Sequence, residues 1–97
     1  MTTDMEVQTF DDVWDAIEDT PQAAASMRLR SKLLIVIEQE VQSWGFTQAK
    51  AAEKLSVTQP RLNDLLRGKV DKFSLDALVD LSSRAGLSVK LDVARAA

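Results

Sequence analysis

Ninety-seven residues make one domain and leave no room for a second, and 45% apolar against 28% charged residues is the balance of an ordinary globular protein. The chain holds neither cysteine nor histidine, which excludes a disulfide scaffold, a thiolate zinc site, the Ser-His and Cys-His nucleophile pairs and the usual general base. A net charge of −3 argues against indiscriminate coating of nucleic acid but leaves open a single positive face.

Residues 1–9 are polar, acidic and without period, so a flexible lead is expected. Phe10, Val13, Trp14 and Ile17 then fall three and four apart, which predicts a short helix with one apolar stripe and acids opposite. Thr20-Pro21 reads as a helix start, a capping hydroxyl followed by proline in the first turn. From there Leu33, Ile37, Val41 and Trp44 share one face, widened by Leu29, Leu34 and Val36, until Gly45 ends the helix. Thr47 opens a helix through Leu55, and Thr58 opens one through Arg67, closed by Gly68. Ser74 begins a helix over Leu75–Ala85 that Gly86 closes. Leu87 to Val93 alternates apolar and polar with period two, which predicts a half-buried strand. A lone strand in a helical chain has an exposed edge, so Leu87, Val89, Leu91 and Val93 are expected to form a dimer contact with a second copy.

Charge divides the chain. Residues 1–25 carry seven acids and no base, whereas 47–72 hold six bases against three acids. The domain organisation expected is an acidic N-terminal segment with a short helix at 1–25 and a helical domain with its dimerisation strand at 26–97. No apolar run approaches 18 residues and no basic segment precedes a hydrophobic stretch, so neither a membrane span nor a secretory signal is expected, and a cytoplasmic location fits the missing cysteines.

The segment 47–68 is the most informative. Ala51 and Ala52, Leu55, Val57, Leu62 and Leu65 are spaced for two short helices crossing steeply at a tight turn: small residues allow the approach and larger ones fill the angle. The polar positions left outside concentrate at the start of the second helix, the part that enters a major groove. Gln59, Arg61 and Asn63 are the candidates for base edges, since amides pair with adenine and guanidinium with guanine. Thr47, Gln48, Thr58, Arg67 and Lys69 suit phosphates, as does Lys72.

On Thr47-Gln48-Ala49, the Ala51-Ala52 pair, Leu55 to Arg61, Leu65 to Lys69 and Phe73 to Leu78, the chain resembles the Xre/Cro-like helix-turn-helix repressors, and most of all the small regulators related to HigA-type antitoxins. Phe10 to Trp14, Glu18 to Pro21 and the Gly86 to Val89 stretch extend the likeness over roughly residues 10–93. The fold class expected is all-α, a lambda-repressor-like five-helix DNA-binding domain with one C-terminal β-strand pairing across a dimer. The resemblance implies a homodimeric, sequence-specific repressor on a double-stranded, pseudo-palindromic operator, bacterial or phage-encoded. Antitoxins of this kind also bind a small RNA-cleaving toxin. Ser56 departs from the pattern, because glycine often stands in that turn.

Plainer readings compete for several residues. Trp14 and Trp44 sit on apolar stripes and read as core or docking residues, and Arg28, Arg30 and Lys32 as a solvated helix face. The acidic N-terminus is either a solubilising lead or a carboxylate surface for a basic partner, in which case the protein would mainly neutralise that partner. The paired carboxylates Asp11/Asp15 and Asp76/Asp80 have no nucleophile or glycine-rich loop beside them and suit helix starts. No catalysis, cofactor or metal is expected.

Overall fold

The computed structural model describes residues 20–96. Four α-helices and a short 3-10 turn follow in order: α1 Pro21–Ser43, α2 Gln48–Leu55, α3 Gln59–Leu66, the 3-10 turn Val70–Lys72, and α4 Leu75–Arg84. The expected helix over 10–18 lies outside the described residues. The expected domain boundary at 25/26 falls inside the continuous α1.

Each helix begins on a hydroxyl cap. The N–H groups of Ala23, Lys50, Arg61 and Ala77 donate to the side-chain oxygens of Thr20, Thr47, Thr58 and Ser74 at 3.0, 3.2, 3.2 and 3.0 Å. Every such bond satisfies a helix-start donor that the helix itself leaves orphaned. The proline in the first turn of α1 and of α3 costs nothing for the same reason.

Three helices also end alike. At the close of α2, Ser56 N–H donates to Glu53 O and Val57 N–H to Ala52 O, both at 3.0 Å. Gly68 and Lys69 repeat this on Leu65 O and Asp64 O, and Gly86 and Leu87 on Ser83 O and Ser82 O. This paired closure needs a left-handed residue at its centre. Gly68 and Gly86 supply one freely, whereas Ser56 adopts φ 58° with a side chain attached.

The core collects around the middle of α1. Leu34, Ile37 and Val41 meet Ala52 and Leu55 of α2, Leu62 and Leu65 of α3, Phe73, and Leu78 and Leu81 of α4, all of them buried. The long α1 packs chiefly on α4, while α2 packs on α3, so α1 and α4 form the scaffold that presents the α2–α3 pair. No helix among the described residues is long and apolar enough to cross a membrane.

Beyond α4 the structure shows no strand among the described residues. The Leu87 N–H bond to Ser82 O, at 2.9 Å, is the last backbone hydrogen bond toward the C-terminus among them. A strand is defined by its ladder, and the described residues offer no second edge to the expected strand at 87–93.

Candidate nucleic-acid interface

The crossing of α2 and α3 is built as the spacing requires. Ala51 and Ala52 are buried at the contact, and Leu55, Leu62 and Leu65 fill the angle with half-buried Val57. Small side chains let the helix backbones approach, and this sets the direction in which α3 leaves the body.

The turn is clamped from a distance. Arg84, at the end of α4, donates from Nη1 to Leu55 O and Ser56 O, both at 3.1 Å, while its Nε meets Asp80 Oδ2 at 3.0 Å. Carbonyls that α2 leaves orphaned at its end thus gain a charged donor. Ser56→Gly should raise stability by about 0.5–1 kcal/mol, because it removes the left-handed penalty but loosens the unfolded chain. A urea melt with an unchanged or lower midpoint would show that the turn carries no strain.

On the outer surface, Thr47, Gln48, Thr58, Gln59 and Arg67 are exposed, and Arg61, Asn63 and Lys69 are half-buried. Gln59, Asn63 and Arg67 follow at intervals of four, so they form one row along α3, away from the buried Leu62 and Leu65. Exposed Pro60 stands beside the row. The Thr47 and Thr58 oxygens accept from their own helices, which leaves each O–H proton available to an outside acceptor.

Arg61 is not part of that row. It lies four residues before buried Leu65 and so points along the inner flank of α3. Its Nη1 donates to Lys72 O at 2.9 Å, and its guanidinium stacks 4.1 Å from the centre of the Phe73 ring. One arm of the fork expected to read a base is engaged within the chain, where it links α3 to the 70–73 turn. Arg30 also departs from the solvated face expected of it: it is half-buried and donates to Phe73 O at 3.4 Å. The spacing to Leu65 could have flagged Arg61, but nothing local flags Arg30 or Arg84.

Cations stand on both helices of the pair and just beyond α3. Lys69 Nζ lies 3.7 Å from Asp64 Oδ1, and Lys72 is exposed. On the α2 side, Lys50 sits 4.8 Å over Phe46 and Lys54 4.5 Å over Trp44, arrangements that steady long side chains by cation–π attraction. Trp44 packs against the core, with Nε1 on Glu40 Oε2 at 3.3 Å, and so serves as a docking residue. The result is a short helix with amides along one ridge and ammonium groups at its margins, the chemistry that base edges and phosphates require.

A family model for a helix-turn-helix domain matches residues 16–94. The chain belongs to that helix-turn-helix family. The match spans all four helices and the 87–94 segment, so the α2–turn–α3 unit sits within a whole domain of this type, and DNA binding is the function such a domain supports. No curated protein matches the chain significantly.

Proposed function

We propose that this helix-turn-helix protein is a sequence-specific transcriptional repressor of the Xre/Cro type, acting in the cytoplasm as a homodimer on a pseudo-palindromic operator. The observation that carries the reading is the outward Gln59–Asn63–Arg67 row, exposed at both ends and half-buried at Asn63, on a helix held by a buried crossing. Gln59 and Asn63 would face base edges, while Arg67, Lys69, Thr47, Gln48 and Thr58 would hold phosphates on either side. Arg61 would position α3 through Phe73 and Lys72 O, with Nε and Nη2 left to donate outward. Leu87, Val89, Leu91 and Val93 would join two copies, setting two α3 helices about 34 Å apart in successive major grooves.

Titration of a duplex at several salt concentrations tests the phosphate assignment. Lys69→Ala and Arg67→Ala should each flatten the dependence of log K on log salt by about one unit. An unchanged slope would remove that residue from the interface.

The seven acids and absent bases of residues 1–25 favour a second reading, an antitoxin in which this segment neutralises a small basic RNA-cleaving toxin. Residues 1–19 lie outside the described structure. Co-purification of such a partner with the full chain, lost when residues 1–19 are removed, would support it. One dimer could perform both tasks.

A further inference from the structure

Among the described residues, a largely apolar face of α1 and α4 stands uncovered. A groove of about 340 Å³ runs between Leu29 and Val36 of α1 and Leu75 and Val79 of α4, with Lys32 beside it and Val89, Lys90 and Leu91 of the tail at its rim. Leu91 and Val93 are 86% and 78% exposed. A domain this small gains much from covering such a surface.

We propose that a second copy of this chain covers it, the two tails pairing as antiparallel strands in a register centred on Leu91. The inference rests on the homodimer reading and adds its geometry. The segment Val89-Lys90-Leu91-Asp92-Val93 is self-complementary under a twofold axis. Centred on Leu91, antiparallel pairing sets Val89 opposite the partner's Val93 and Lys90 opposite the partner's Asp92, twice over. Centring on Lys90 or on Asp92 sets a like charge against itself, and a parallel in-register pair sets both against themselves. A shift by one residue turns the apolar set away from the helices. Only the Leu91 register combines two opposite-charge pairs on the outer face with an unbroken apolar face on the inner one. That inner face continues the exposed apolar residues of α1 and α4, so a two-stranded sheet would lie over helices from both copies, with one face buried and one in water.

The chain contains no cysteine, so a single substitution reports the register. Residues directly opposite across an antiparallel pair have Cα atoms about 4.5–5.5 Å apart, within disulfide range. Full-length Leu91→Cys should oxidise to a covalent dimer that still binds DNA, whereas Lys90→Cys and Asp92→Cys, diagonal to their own copies, should link poorly. Lys90→Asp or Asp92→Lys alone should weaken dimerisation about tenfold or more by sedimentation, since each creates two like-charge pairs, and the double exchange should restore it. Both positions are exposed, so folding is not at stake. A dimer that cross-links best at position 90 or 92, or that ignores the charge exchanges, would overturn the register while leaving the homodimer intact. A chain that stays monomeric on DNA, with residues 1–19 or another occupant in the groove, would overturn the register and the homodimer together. DNA affinity, measured in the same samples, reports on the interface separately.

Discussion

Phe73→Ala should lower the free energy of unfolding by about 3–5 kcal/mol, the range for deleting a buried aromatic ring. In a domain whose total is about 5–15 kcal/mol, that leaves little reserve. Phe73 is 1% exposed and stands where three elements meet. Its ring lies under the Arg61 guanidinium, its carbonyl accepts from Arg30 of α1, and its N–H closes the 3-10 turn on Val70 O at 3.1 Å. Removing the ring opens a cavity beside Leu62 and Leu65 and takes away the surface on which Arg61 rests. Urea denaturation measures the loss, and a double-mutant cycle with Arg61→Ala should give a coupling of about 0.5–2 kcal/mol. Strict additivity would mean that the stacking contact holds nothing.

Gln59→Ala should cost about 1–3 kcal/mol of DNA affinity and relax the preference at one base pair in each half-site, with stability nearly unchanged. The side chain is exposed at the leading end of α3, and the fold hydrogen-bonds it to nothing among the described residues. Asn63→Ala should behave alike, one helical turn further on. Arg61→Ala should behave differently. Its side chain supports α3 through Lys72 O and Phe73, so its removal should weaken binding to all sequences evenly and lower the melting midpoint as well. Comparing base preferences for the three variants separates a reading residue from a positioning one.

Local chemistry made the helices legible. Thr20, Thr47, Thr58 and Ser74 announce each start and Gly45, Gly68 and Gly86 three of the ends, because capping bonds span only three to five residues. The expected boundaries agree with the observed ones to within a residue or so. Thr47 and Thr58, for example, stand just outside the helices they open as caps. The crossing of α2 and α3 was legible for a related reason, since the small and large residues that make it all fall inside one short segment.

Contacts between distant parts of the chain were not legible. Arg84 reaches carbonyls 28 and 29 residues away, and Arg30 meets Phe73 across 43, so no periodicity signals either. Residue chemistry alone points Arg61 at a base, and guanidinium suits a base edge and a main-chain carbonyl equally well. The 3-10 turn at 70–72 was missed, because its short i to i+3 pattern leaves little trace in the sequence. The tail marks a different limit: alternation predicts a strand, but no ladder partner for it stands among the described residues.

Selection of bound sequences from a random duplex pool, run in parallel with the unaltered protein and with Gln59→Ala, tests the interface most directly. The expected result is a twofold-symmetric motif for the first, and for the second the same motif with one position per half-site relaxed. Failure to enrich any sequence, or identical motifs from the two proteins, would contradict the assignment of the α3 ridge as the reading surface.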